Sequence, residues 1–255
     1  MLDDSKEPGR RVYGSIPDKA AEGNQLNKER IWIKDPGLWI IFLFYLAVAG
    51  ISFNRGLLLS DEGYQLYFSW LISRGHKIYK DFFLQVAPLN FLIQALLMKI
   101  FGVKIIISKI YALLMGIVGL FGIAYISRKV VPGQLWVASV SLYIFLSNNL
   151  FNFSHYSMES RIELVLSLAF GLAWFDSRKL TMMFFSGLFA AMAAASYQSF
   201  AVLAAFELII LIVFRDKDKN RDWIKPLAAY VAGFVVVGFA VGAYLAYERL
   251  LQEAF

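Results

Sequence analysis

The chain has 255 residues, of which 59% are hydrophobic and 17% are charged. This composition, with its long apolar runs, excludes an ordinary soluble domain, in which about one quarter of residues are charged. The absence of cysteine excludes a disulfide framework and thiolate-bound metal centres. We assign the formal net charge of +6 to membrane topology and expect no nucleic-acid partner.

Residues 1–37 differ from the rest of the chain, because basic and acidic residues alternate there and prolines and glycines interrupt any periodicity. This pattern predicts a disordered cytoplasmic tail. The first apolar run begins only at Leu38, after this charged stretch, so we expect no cleaved signal peptide. Residues 38–255 are predicted to form one transmembrane module.

The sequence predicts an all-α, polytopic membrane protein with about seven transmembrane helices. They span residues 38–57, 105–127, 133–148, 161–175, 180–196, 199–214 and 226–247. The apolar segment 88–101 is too short to cross a bilayer core of about 30 Å, and Gln94 and Lys99 interrupt it, so we interpret it as an interfacial helix.

With this segment excluded from the spans, the basic loops all fall on one side, which the positive-inside rule assigns to the cytoplasm. These basic residues are the tail, Arg128 with Lys129, Arg178 with Lys179, and the loop 215–225. We therefore expect a multi-pass protein of a prokaryotic cytoplasmic membrane, with a cytoplasmic N-terminus.

The first extracytoplasmic loop, residues 58–104, begins with Ser60-Asp61-Glu62-Gly63. Polar residues then recur at helical spacing from Glu62 to Ser73, which predicts an amphipathic helix on the membrane surface. It should end near Gly75, because glycine accommodates the left-handed conformation of a helix C-terminus. Asp61 and Glu62 have a structural interpretation as well, since Ser60 is a good N-cap and acids favour the first turn of a helix.

The same loop resembles a known family. It has D-E-G-Y from Asp61, R-G-x-x-x-Y-x-D-F-F from Arg74, P-L at Pro88 and an apolar helix ending in F-G at Gly102. This series is similar to the GT-C membrane glycosyltransferases, and within them to the protein O-mannosyltransferase and aminoarabinose transferase-like group. The resemblance covers about residues 38–215.

The resemblance implies inverting transfer of a sugar from a polyprenyl-phosphate-linked donor to an acceptor hydroxyl at the outer membrane face. It implies that Asp61 is the catalytic base and that Glu62 is the second acid, which orients the acceptor or binds a divalent cation. Tyr79 and Asp81 match its Y-x-D motif, with a structural or acceptor-binding role. Relatives are usually longer, so we expect a fragment or a minimal member.

Donor phosphate binding requires a cation, and arginine can bind phosphate oxygens through two parallel hydrogen bonds. Arg161 is the first candidate, since Ser160-Arg161-Ile162-Glu163 resembles the A-R-x-[DE] segment of the family. The same residues also form a capping-box pattern, in which Glu163 would satisfy the Ser160 amide. Lys104 and Lys109 are second choices, although lysines at span ends usually extend towards the interface.

Further substrate-binding candidates are His155, Glu159 and Glu163. His155 could contact substrate, although a histidine at such a position is more often just a polar loop residue. The two acids share a helical face that Arg161 does not. No histidine- or cysteine-built metal site is expected. Glu207 is an intramembrane acid without a sequence-identifiable partner.

The alternative function is a catalytically inactive module that binds a polyprenyl-phosphate lipid or a partner subunit. A transporter is a weaker alternative, because the acids are concentrated in loops rather than at the centres of spans.

Overall fold

The computed structural model describes residues 35–53, 61–146, 154–213 and 223–248. These residues contain nine α-helices and no β-sheet. The helices are α1 Pro36–Phe53, α2 Asp61–Ser73, α3 Leu89–Phe101, α4 Ile105–Val130, α5 Leu135–Leu146, α6 Tyr156–Ser177, α7 Leu180–Ser196, α8 Phe200–Val213 and α9 Ile224–Tyr247.

The chain divides into two compact units, residues 1–39 and residues 40–255. In the first unit the described residues begin at Asp35, whose carboxylate accepts a hydrogen bond of 2.8 Å from the Gly37 amide at the start of α1. The predicted disordered tail lies outside the described residues, apart from its last three. All contacts described below are within the second unit.

The all-helical prediction is confirmed, and within the described residues each predicted span overlaps one helix. Among the described residues, three helices are long and apolar enough to cross a membrane: α1, α4 and α9. The helices α3, α5, α7 and α8 are apolar but contain fewer than 18 residues. The helix content therefore indicates a membrane protein, and the number seven stays a prediction.

Helix α6 packs against α4 through small residues. A Cβ at Gly119 would lie 3.0 Å from the Ile162 side chain, and one at Gly122 would lie 3.0 Å from Val165. A Cβ at Gly116 would overlap the Tyr45 hydroxyl of α1. These glycines therefore allow close helix packing, because larger side chains would separate the helices.

Helices α7 and α9 approach each other even more closely. A Cβ at Gly187 would overlap the backbone carbonyl of Tyr230, and a Cβ at Gly233 would overlap that of Phe184. Two glycines on facing helices thus bring the backbones into contact. By contrast, Gly238 and Gly242 of α9 have no atom within 4 Å of an added Cβ.

The ends of several helices meet around the loop between α2 and α3. Buried Ile78, Leu84, Val86 and Phe91 form an apolar cluster there, against which Tyr156, Tyr197 and Tyr244 pack from the start of α6, the turn after α7 and the end of α9. We call this region the first-loop end. Two polar contacts join the same elements: Lys77 pairs with Glu248 at 3.0 Å, and the Gln198 amide bonds to the backbone of Gln85 and Ala87.

The opposite ends of α4 and α6 are joined by charged residues. Lys129 forms an ion pair with Asp176, and the Tyr125 hydroxyl donates to the same carboxylate at 3.0 Å. Arg178 lies 5.0 Å from the Trp174 ring, within the range of a cation–π contact. The basic residues therefore lie at the C-terminal ends of α4 and α6, whereas the first-loop end contains the start of α6.

Candidate functional site

Three polar residues lie near one another at the first-loop end: Asp61 and Arg161 are exposed, and His155 is half-buried. Asp61 is the first residue of α2, His155 immediately precedes α6, and Arg161 lies in the second turn of α6. Partial burial lowers the pKa of His155, the Asp61 carboxylate raises it and the Arg161 guanidinium lowers it. Both charges thus act on one imidazole, although Asp61 and His155 are far apart in sequence. We call Asp61, His155 and Arg161 the surface trio.

Ser157 links two members of the surface trio. Its Oγ lies 2.7 Å from His155 Nδ1, and its backbone carbonyl accepts a bond of 3.0 Å from Arg161 Nε. Arg161 Nη2 reaches the Ser157 hydroxyl at 3.4 Å. These contacts keep the guanidinium at the exposed surface, beside the imidazole.

The polar face of α2 lies inside the protein. Glu62 is 1% exposed and Gln65 and Ser69 are fully buried, whereas Tyr67 is 54% exposed. The sequence predicted an amphipathic helix, and the amphipathicity is real, but the polar residues face the neighbouring helices. The two acids of the D-E motif therefore differ, since Asp61 is exposed and Glu62 is buried.

A hydrogen-bond network lies beneath the surface trio. Gln65 Nε2 of α2 donates to Ser154 Oγ at 3.1 Å and to Glu159 Oε2 at 3.2 Å. The Ser154 hydroxyl donates to the other oxygen of Glu159, and Gln94 of α3 donates to Ser154. We call Gln65, Gln94, Ser154, Glu159 and Glu163 the buried polar cluster.

Glu163 completes this cluster, one helical turn after Glu159. Its side chain is fully buried, and neither carboxylate oxygen has a hydrogen-bond partner among the described residues. The capping-box interpretation is wrong, because α6 already begins at Tyr156 and the Ser160 hydroxyl donates to the Tyr156 carbonyl at 2.6 Å. Glu163 is thus an interior helical residue, and it points away from Arg161.

The Y-x-D motif forms a tight turn. The Asp81 carboxylate accepts a 2.8 Å bond from the Lys77 amide, and the Asp81 amide donates to the Lys77 carbonyl at 2.9 Å. Tyr79 has a φ of 66°, a conformation that residues other than glycine rarely adopt. Burial raises the pKa of the Tyr79 phenol, and the neighbouring Tyr64 raises it to a smaller extent. Asp81 therefore has a clear structural role in holding the turn.

The two candidate lysines differ in environment. Lys104 is exposed and directly precedes α4. Lys109 is buried, and its ammonium donates to the Phe53 carbonyl of α1 at 2.9 Å. Lysine at this position satisfies a carbonyl at the last turn of a helix, which is a structural contribution.

Glu207 has partners that the sequence could not identify. Ser167 of α6 donates to its Oε2 at 2.6 Å, and Ser186 of α7 donates to its Oε1 at 3.0 Å. Tyr230 of α9 lies 3.5 Å from the same carboxylate. These hydroxyl groups satisfy the acid within the bundle.

Three residues of the buried polar cluster were not predicted as site residues from the sequence: Gln94, Gln65 and Ser154. A signal existed for Gln94, which interrupts an apolar helix, and for Gln65, which lies on the polar face of α2. Ser154 carried no signal, because an isolated serine in a loop is common.

Comparison with known protein families, with curated proteins and with solved structures finds no match to this chain. The residues that the structure describes include no group of three or more histidines, cysteines, aspartates and glutamates that could hold a metal ion.

Proposed function

We propose that the protein is an integral-membrane glycosyltransferase of the GT-C type, using a polyprenyl-phosphate-linked sugar. The observation that carries the proposal is the surface trio. The residue that the motif implies as catalytic base and the arginine that suits a phosphate both act on His155. A base and an anion-binding group, each near enough to act on one imidazole, suit transfer from a lipid phosphate.

Each member of the trio has a role. Asp61 removes the proton of the acceptor hydroxyl as that oxygen attacks the anomeric carbon, with inversion. Arg161 binds the departing lipid phosphate, and its exposure leaves it accessible to a headgroup. His155, on whose imidazole both charges act, contacts substrate. A divalent cation near Asp61 and Glu62 is part of the proposal only as an accessory to the phosphate.

We further propose seven transmembrane helices, with a cytoplasmic N-terminus in a prokaryotic membrane. Two features support this arrangement. The elements predicted to be extracytoplasmic gather at the first-loop end. Basic residues lie instead at the other ends of α4 and α6, where Lys129 pairs with Asp176 and Arg178 stacks on Trp174.

The second candidate is a catalytically inactive module that binds a polyprenyl-phosphate lipid. The burial of Glu62 favours it, because only one acid of the D-E motif then faces an acceptor. In this case Arg161 keeps its role and Asp61 has none.

The test is binding of a polyprenyl phosphate to the purified protein in detergent. We expect Arg161→Ala to weaken binding by about 10- to 100-fold, since a charge-assisted contact contributes about 1.5 to 3 kcal/mol. Arg74→Ala is the matched control, because Arg74 is also an exposed arginine and follows directly after α2, outside the surface trio. Asp61→Asn should leave binding unchanged.

Two results would contradict the proposal. Failure of the folded wild type to bind polyprenyl phosphate removes both candidate functions. Equal losses in Arg161→Ala and Arg74→Ala would indicate nonspecific attraction between a basic surface and an anionic lipid.

A further inference from the structure

Glu159 and Glu163 form a pair of interior acids on one face of α6. They are 2% and 0% exposed, and they lie four residues apart on α6, so their side chains share one helical face. No basic side chain forms an ion pair with either acid among residues 35–53, 61–146, 154–213 and 223–248. Two adjacent carboxylates without a counter-charge are costly to bury, and such groups are normally paired, protonated or bound to a metal.

A second observation comes from neutral oxygen atoms around the pair. Gln65 Oε1 and Ser196 Oγ are buried and have no hydrogen-bond partner among the described residues. Gln65 donates to Glu159 through its Nε2, so its free oxygen belongs to an amide already held beside that carboxylate. Ser196, at the end of α7, lies beside Glu163. Buried polar atoms are rarely left without partners, and an ion or a water molecule often satisfies those that other protein groups do not.

We propose that Glu159 and Glu163 bind one divalent cation, with Gln65 Oε1 and Ser196 Oγ as neutral ligands. Two carboxylates balance a charge of +2, and a set made only of oxygen atoms suits Mg²⁺, Ca²⁺ or Mn²⁺. Ser154 and Gln65 hold the Glu159 carboxylate by hydrogen bonds, which is how supporting residues orient a metal ligand.

The site would have a structural consequence. Its ligands come from α2, α6 and α7, so the cation would fix the first-loop helix α2 to the helices beneath it. It is distinct from a cation at Asp61 and Glu62, and it does not depend on the transfer reaction.

The experiment uses the full chain, purified in detergent and treated with a chelator. Mn²⁺ is the probe for binding, followed by electron paramagnetic resonance, and thermal unfolding is measured with EDTA, Mg²⁺, Ca²⁺ and Mn²⁺. We expect one Mn²⁺ per chain and a melting temperature that rises with cation concentration, because a ligand of the folded state stabilises it. Glu163→Gln should weaken Mn²⁺ binding by at least about tenfold, because loss of a residue that only supports a metal ligand already lowers metal affinity by about 10- to 100-fold.

Two variants serve as comparisons. Glu207→Gln is the matched control, since Glu207 is also a buried acid but already accepts bonds from Ser167 and Ser186, and it should bind Mn²⁺ like the wild type. Ser196→Ala keeps both carboxylates and should weaken binding less than Glu163→Gln does. This second variant keeps the test valid if Glu163→Gln fails to fold.

The melting temperatures of the wild type and of Glu163→Gln give a further criterion. In EDTA, Glu163→Gln should melt no lower than the wild type, because it removes an uncompensated charge, and with Mn²⁺ the wild type should melt higher. The proposal is overturned if the folded wild type binds no divalent cation, which indicates protonated acids. It is also overturned if Asp61→Asn abolishes Mn²⁺ binding while Glu163→Gln preserves it.

Discussion

The surface trio and the buried polar cluster both take residues from the first two turns of α6, yet the charged residues of one are at the surface and those of the other are in the interior. Arg161 is exposed and His155 is half-buried, and each contacts the small polar residue Ser157. Glu159 and Glu163 flank Arg161 in sequence but are fully enclosed by α2, α3 and α7. Residues two positions apart on a helix point in very different directions, whereas residues four apart share a face.

The comparison shows how one short segment supplies two kinds of chemistry. Charges at the surface can attract and release a substrate, because water screens them and their side chains can move. Charges in the interior must be compensated permanently. Activity is therefore expected to depend on the surface trio, and stability on the buried polar cluster.

The largest expected effect is on the rate of sugar transfer. Asp61→Asn should lower the rate by about 10²- to 10⁴-fold, the usual contribution of a general base, while the protein remains folded. The measurement is release of polyprenyl phosphate from a panel of polyprenyl-phosphate hexoses. Glu248→Gln, an acid at the same end that pairs with Lys77, is the control. A rate unchanged in Asp61→Asn would favour the module without catalysis.

The next largest effect is expected on the free energy of unfolding, through the helix packing around the buried polar cluster. Gly119→Leu should lower the free energy of unfolding by about 1 to 3 kcal/mol, since its side chain would displace Ile162, the neighbour of Glu163. Gly238→Leu is the matched control, because a Cβ there meets open space. Equal unfolding curves for the two variants would mean that α4 and α6 do not pack closely.

A comparable or smaller loss of stability is expected when a hydrogen bond of the buried polar cluster is removed. Gln65→Ala leaves the Glu159 and Ser154 oxygens without one donor, and it should cost about 1 to 3 kcal/mol of stability. Gln85→Ala is the control, since that side chain is exposed. Urea unfolding in detergent compares the two. Lipid binding by Gln65→Ala should match the wild type, and a loss there would show that the two regions are not separable.

Much of the helical fold is predictable from the sequence because apolar runs and their interruptions are local signals. The ends of α2 and α3 coincide with Gly75 and Gly102, both of which have positive φ. The packing glycines Gly119 and Gly122 are recognisable for the same reason, since small residues in a span are typical of helix contacts.

The arrangement of the candidate site is less predictable, since it depends on which face of each helix meets a neighbour. The sequence assigns the polar face of α2 to water, but that face meets α3 and α6. It offers Glu163 a capping role, which fails because α6 begins four residues before Ser160. The pairing of Gln65 with Ser154 and Glu159 joins residues about ninety positions apart, beyond any local pattern.

The convergence of Asp61 and Arg161 on His155 is the central claim, and the titration of His155 tests it most directly. In a His76→Gln background only one histidine remains, so nuclear magnetic resonance of labelled histidine reports its pKa alone. Asp61→Asn should lower this pKa, because a neighbouring carboxylate stabilises the charged imidazole, and Arg161→Ala should raise it. Addition of a polyprenyl phosphate should also raise it, since the bound phosphate brings negative charge beside the ring. A pKa of His155 that responds to neither substitution nor to the lipid would contradict the account.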